Sequence, residues 1–280
     1  MDRATFVVHI NSSRHMPDRV RMAAQLAAST GAHLVGVAST LMDESPYMNC
    51  VGSEAASVLS AYLECVREKA AADLDVFESI ARSNGVGSTE KRIIEADPGM
   101  ALCLQGRYSD LLIVGQVDPD DPLDEPRNLP EYVLVNAGRP MVICPNSTRP
   151  ETIGTRCVVA WDGSTEASRA ISGAMPFLRN AGQVLLNVID PKIGEGAHGQ
   201  EPGADMALYL ARHGIRLEVA MIRTGEQIDI GEALLAQAAR FGADLLVMGG
   251  YGHSRFREIV LGGVTATVFR SMTCPVLMAH

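Results

Sequence analysis

With 280 residues and 47% hydrophobic content, the chain can hold one large domain or two of ordinary size, since domains commonly run to roughly 100–200 residues. Its formal net charge of -9 and pI near 5.3 argue against the clustered Lys and Arg that a nucleic-acid surface needs. The start leads directly into a strand-like Phe6 to Ile10, with no apolar stretch long enough for a signal peptide or a membrane span, so a cytoplasmic protein with neither nucleic acid nor membrane as partner is expected.

The six cysteines, Cys50, Cys65, Cys103, Cys144, Cys157 and Cys274, include no CxxC pair and no His at metal-ligand spacing. Most sit in apolar runs and read as buried thiols rather than disulfides or zinc ligands. Cys50, in a polar stretch, is the one expected to be exposed.

In chain order, Phe6 to Ile10 reads as a strand that turns through Asn11-Ser12-Ser13 into an Ala-rich amphipathic helix over 18–30. A second strand starts at His33, a helix covers 55–84, and another covers 100–108. Ser109-Asp-Leu-Leu-Ile-Val-Gly gives a strand ending at Gly115, and Arg139-Pro-Met-Val-Ile-Cys-Pro gives the last strand of this half. Pro145 to Thr155 lacks periodicity and marks a boundary between domains at 1–148 and 153–280. The pattern then repeats. Cys157-Val-Val-Ala-Trp-Asp-Gly-Ser echoes the start, with Asp162 opposite Asn11 and a helix over 166–180. Val188 falls opposite Val37 at a spacing of 151, helices follow over 203–214 and 230–241, and Gly249 falls opposite Gly115 at a spacing of 134. The second copy is thus shorter by about 17 residues, and the surplus of the first is placed between Leu41 and Ser57 as a loop.

Strands alternating with helices predict a parallel sheet covered on both faces, with ligands bound beyond the carboxyl ends of the strands where strand order reverses. In the second copy those ends carry Asp162, Val188, Asp190 and a glycine cluster. Leu245 to Met248 form a buried strand, and Gly249, Gly250 and Gly252 make a loop whose backbone can approach a ligand closely. Gly262 and Gly263 precede a helix over 264–272, so a phosphate there meets free N–H groups and the favourable end of a helix dipole. The spacing Gly249-x2-Gly252-x9-Gly262 is neither a Walker A loop nor the dinucleotide motif, because Arg255 stands where the last glycine should be. Glycines after a strand also serve as plain turn residues.

This layout resembles the universal stress protein family, whose nucleotide-binding members carry Gly-x2-Gly-x9-Gly-Ser/Thr at this place. Both halves are similar to it, so the whole chain looks like a tandem member. The resemblance implies an α/β fold of two tandem open parallel-sheet, Rossmann-like domains packed as a pseudo-dimer, with Met141–Cys144 pairing with Val276–Ala279. It also implies an adenine nucleotide, ATP with or without Mg2+. By that analogy Asp162 and Val188 line the adenosine pocket, with Trp161 beside them to stack on adenine or fill the pocket. Met248 belongs to the same set, and Gly249, Gly252, Gly262, Gly263, Val264 and Thr265 hold ribose and phosphates. Gly263 occupies the family's Ser/Thr position, so that hydroxyl is absent.

The first copy departs further: no second glycine follows Gly115, Asn11 replaces the Asp, and the stretch from Asp118 to Glu125 holds five carboxylates. A solvated loop that repels polyphosphate is expected, and with it no nucleotide in this half. His253 and Ser254 belong to no Asp/His/Ser arrangement, so no catalytic residue is assigned and ATP turnover is at most slow. The expected function is a stress-response regulatory protein that binds ATP in its C-terminal domain, has protein partners the sequence does not name, and forms a homodimer of tandem chains. One alternative is a nucleotide-free protein-interaction module of the same fold. Another is an ATP-cleaving ligase, against which the first turn of the second copy lacks the Ser-Gly-Gly-x-Asp-Ser type of loop.

Overall fold

The computed structural model describes residues 3–40, 53–124, 128–147, 152–189, 191, 201–223, 229–251 and 263–280. The chain divides into two compact units, Met1–Ala137 and Gly138–His280.

The first unit opens with β1 (Thr5–Ile10), α1 (Met16–Thr30), β2 (His33–Ser39) and α2 (Ser53–Ser83). It continues with β3 (Thr89–Ile94), α3 (Pro98–Gly106), β4 (Leu111–Gly115) and α4 (Leu129–Asn136). Its strands lie in the order β3-β2-β1-β4, all parallel. Central β1 and β4 are apolar on both faces, with Val7, Val8, Leu112 and Ile113 essentially unexposed, as strands covered on both sides require. The edge strand β3 instead carries Glu90, Lys91 and Arg92, charges that blunt an open edge.

The second unit holds β5 (Met141–Cys144), β6 (Arg156–Trp161), α5 (Thr165–Leu178), β7 (Gln183–Ile189) and α6 (Ala204–Arg212). Then come β8 (Glu218–Ile222), α7 (Ile230–Phe241), β9 (Leu245–Gly249), α8 (Val264–Ser271) and β10 (Val276–Ala279). Its order is β5-β10-β9-β6-β7-β8. The pairing of β5 with β10 is antiparallel, as expected from the resemblance, and the pairs from β10 to β8 are parallel. Although the repeat assigns β5 to the first copy, its Met141, Val142 and Ile143 pair with Met278, Leu277 and Val276 of the second.

The repeat has a local physical basis. Asp110 accepts a hydrogen bond from Thr5 N at 2.8 Å, and Asp244 accepts from Arg156 N at 2.8 Å, so each copy ties the start of its first strand to the strand that will lie beside it. Helix starts are matched too, since Asp97 caps α3 through Met100 N and Asp229 caps α7 through Glu232 N.

Most of the 41–57 stretch expected to hold the surplus lies outside the described residues, and among the described ones the first copy is longer in helix: α2 has 31 residues and α6 has 9. The stretch from Ser53 is rich in Ala, Glu and Leu, good helix formers, and Phe77 from α2 packs so closely on β2 that a Cβ at Gly36 would lie 2.7 Å from its ring. The expected register is corrected. Val188 is the partner of Trp161 and Ala38 the partner of Ile10, so Val188 corresponds to Ala38 and Asn187 to Val37. The shift arises because the whole connection from β6 to β7 is one residue shorter than that from β1 to β2, and a one-residue shift exchanges the faces on which side chains stand.

Candidate functional site

In each unit the strand order reverses beside the first strand, β1 or β6, and open α/β sheets bind ligands beyond the carboxyl ends at such a point. In the second unit β6 ends at Trp161, which is half-buried, and Asp162, which is exposed. Asp162 Oδ1 accepts from Ser164 N at 2.9 Å, closing the turn, and Ser164 Oγ accepts from Ala167 N at 3.1 Å, capping α5. Sequence reasoning singled out Asp162 but missed Ser164. The signal was present, as Ser-x-x-Ala before an amphipathic run is an N-cap pattern.

The strand β9 delivers Met248, which is buried, and then Gly249. A Cβ at Gly249 would lie 2.6 Å from Ala167 N and 2.9 Å from Glu166 C, so glycine is required by the first turn of α5 crossing directly over it. The chain continues with Gly250 N donating to Ala279 O at 2.9 Å, and with Tyr251 at a φ of 55°, a left-handed conformation uncommon for a residue with a side chain. Tyr251 N donates to the buried Thr265 Oγ1 at 3.3 Å, which ties the end of the strand to the first turn of α8. His280 Nδ1 lies 3.0 Å from Gly250 O. Gly263 stands at the N-cap of α8 in extended backbone, with no side-chain cap. The first intrahelical bond of α8 runs from Thr267 N to Gly263 O, so the N–H groups of Val264, Thr265 and Ala266 precede it.

The structure thus brings Gly249, Gly250, Tyr251, Thr265 and the first turn of α5 together, with Trp161 and Val188 in register on the neighbouring strands. Val188 is fully buried, its Cγ2 lying 2.7 Å from where a Cβ of Gly203 would stand. Gly252 and Gly262, with Asp190, His253, Ser254, Arg255 and Arg257, lie outside the described residues. The preceding residue, Asn187, is unexposed, and neither side-chain polar atom has a hydrogen-bond partner among the described residues. Its signal in the sequence was a lone Asn within Val-Leu-Leu-Asn-Val-Ile.

The first unit arranges the same place differently. Asn11 Oδ1 accepts from Ser13 N at 3.4 Å, the counterpart of the Asp162 turn, but also from Arg19 Nη2 at 2.6 Å. Arg19 is buried, donates to His9 O at 2.8 Å, and fills the space over Gly115, where a Cβ would lie 2.4 Å from its Nη1. The acidic stretch is not the solvated loop expected. Asp121 accepts from Ser13 Oγ and Arg14 N, both at 2.9 Å, and Asp124 accepts from Asn11 Nδ2 at 3.2 Å and Asp118 N at 2.7 Å. Asp118 pairs with Arg14 and, at 2.8 Å, with His15 Nε2. Hydrogen bonds from Arg14 and His15 hold the Asp118 carboxyl down at about 2. The carboxylates fold back onto the β1–α1 turn because that turn offers three hydroxyl and amide donors and two basic side chains.

The thiols divide by burial. Cys103, Cys144 and Cys157 are buried, and burial pushes Cys157 up to about 12 and Cys274 up to about 11. Cys65 is exposed, against expectation, because its apolar neighbours occupy other faces of α2. Cys50 lies outside the described residues. Among the described residues no helix is long and apolar enough to cross a membrane.

Comparison with known proteins adds three findings. The model of the universal stress protein family matches residues 155–280. The chain is 31% identical over 153 residues to universal stress protein Slr1230 of Synechocystis sp., an alignment covering 52% of this chain and 49% of that protein, so the chain spans about half the length of this curated relative. Among solved structures, a universal stress protein from Archaeoglobus fulgidus aligns over 99% of this chain and 96% of its own, at 16% identity and a TM-score of 0.75. The protein PA1789 from Pseudomonas aeruginosa, of unknown function, covers 98% and 92% at 16% identity and a TM-score of 0.56. These two show the fold.

Proposed function

We propose that this chain, whose residues 155–280 match the universal stress protein family model and which is similar to a universal stress protein over 153 residues, is a stress-response regulator that binds ATP in its C-terminal domain. The observation that carries this reading is the junction of β9 and α8. There β9 ends at Gly249 and is followed by Gly250, and the adjoining helix begins at a glycine without a side-chain cap, with its first-turn N–H groups ahead of any intrahelical partner. In this reading Gly249, Gly252, Gly262, Gly263, Val264 and Thr265 take the ribose and phosphates. The Thr265 hydroxyl, already accepting from Tyr251 N, keeps its proton to donate. Trp161, Asp162, Val188 and Met248 take the adenosine. One Asp162 oxygen is committed to the turn, and the other is the acceptor we assign to a nucleoside hydroxyl. The N-terminal domain, whose equivalent space holds Arg19 and the folded acidic loop, acts as a structural partner.

Trp161 is the only tryptophan in the chain, so its emission is a reporter of this site. Titration with ATP should give a saturable change in Trp161 fluorescence, and AMP should compete. A flat response at millimolar ATP, together with no heat of binding, overturns the reading.

A nucleotide-free interaction module has one observation in its favour. The absence of a side chain at Gly249 is fully explained by the α5 backbone against it, with no ligand needed. Purified protein free of nucleotide and unresponsive to it supports this alternative.

A further inference from the structure

The two copies provide an internal control for one surface. Their α3 and α7 helices are aligned cap to cap by Asp97 and Asp229, which sets Met100, Leu104 and Tyr108 opposite Glu232, Ala236 and Arg240. The same alignment pairs Gly99 with Gly231. A Cβ at Gly99 would lie 2.6 Å from the Tyr132 ring, and one at Gly231 would lie 2.9 Å from Thr267, so Tyr132 of α4 corresponds to Thr267 of α8 and Val135 to Arg270. In the second unit the positions of Glu232, Ala236, Arg240 and Arg270 face water, as an ordinary solvated helix surface does. In the first unit the same face is apolar and open: Met100 is 59% exposed, Tyr108 is 73% exposed, and Leu104, Tyr132 and Val135 are each 40% or more. The fold therefore accepts polar residues there, and the first copy carries apolar ones. Methionine and tyrosine gathered on one open face are the composition of interface centres.

The charges that flank the stripe indicate what covers it. Asp97, the N-cap of α3, stands three residues before Met100, and Arg107, its C-cap, stands three residues after Leu104, so the two charges bracket the stripe at opposite ends of the helix. The pattern is its own complement under a two-fold axis. With two α3 helices antiparallel, Met100 of one meets Leu104 of the other, and Asp97 meets Arg107 twice. A chain of net charge -9 otherwise repels its copies, so a stretch with balanced, oppositely placed charges is where self-association costs least. We propose that the α3–α4 face of the N-terminal unit is a docking surface for a second copy of this chain, forming a symmetric dimer across antiparallel α3 helices.

Sedimentation velocity of the full chain over a concentration series tests this. Wild type should show a reversible monomer–dimer equilibrium. Met100→Glu with Tyr108→Arg, the residues the second unit carries at these positions, should weaken it at least about tenfold with unchanged far-UV dichroism and thermal midpoint. Arg107→Glu, which leaves the apolar stripe intact, should weaken it less, and the loss should shrink at high salt. In a Cys65→Ser background, a mixture of Met100→Cys and Leu104→Cys chains should cross-link more readily than either alone. A wild type that stays monomeric throughout, a dimer indifferent to the double substitution, or cross-linking no better in the mixture than in the separate variants overturns the proposal.

Discussion

Gly263 and Asn187 are the residues at which the site differs most from what packing alone requires. Gly263 has extended backbone at the N-cap of α8, a conformation open to any residue, and the position is uncapped. Gly263→Ser should cap α8 through its hydroxyl and supply the missing phosphate partner, tightening ATP binding several-fold in a calorimetric titration. An unchanged or weaker affinity removes Gly263 from the phosphate site. Asn187 buries an amide with no partner among the described residues, at a place where the first copy has Val37. Leaving such a group unsatisfied costs about 1–3 kcal/mol, so Asn187→Val should raise the stability of the nucleotide-free protein by a comparable amount in denaturant unfolding. Gly249→Ala should act in the opposite sense, lowering stability by about 1–3 kcal/mol, because backbone atoms of α5 occupy the space the new Cβ needs. Asp162 and the glycine at the end of β9 were legible in the sequence, since an Asx turn and a glycine after an apolar run are local signals. Asn187 was not, because nothing local tells a buried asparagine from an exposed one.

The element that most changes the picture is the acidic stretch after β4. Read as a string of carboxylates it is a repelling loop, but its meaning depends on donors in the β1–α1 turn more than a hundred residues earlier in the chain. The Asp118 carboxyl is held at about 2, below its unfolded value of about 4, so its contribution to stability is present above that unfolded value and is lost as pH falls from about 4 to about 2. Arg14 is exposed and salt screens the pair, so the contribution is modest. In urea unfolding, Asp118→Asn should be less stable than wild type at pH 7, and the difference should vanish near pH 2. A constant gap across that range contradicts the assignment. Similar reasons govern which elements could be read. The central strands announced themselves as short apolar runs, and the capped helices as amphipathic ones. The edge strands β3 and β8 did not, because their exposed positions break the alternation on which such a reading depends.

Across the whole molecule, the repeat in the sequence was enough to give two copies of one α/β plan, and the comparisons agree with it in fold. What the repeat alone could not give, and the family resemblance did, was the allegiance of β5, which pairs with β10 of the second unit, because pairing partners distant in sequence leave no local trace. Nor could it give the different uses of the same place in the fold. In one copy Arg19 and the folded carboxylates occupy it, and in the other a glycine-ended strand meets a helix without a side-chain cap. The proposed function therefore predicts a division between equivalent sites, with one nucleotide per chain. Calorimetric titration of the full-length chain with ATP, started from protein stripped of bound nucleotide, measures this directly. A stoichiometry of one ATP per chain is the predicted result; two per chain, or none at millimolar ATP, contradicts it.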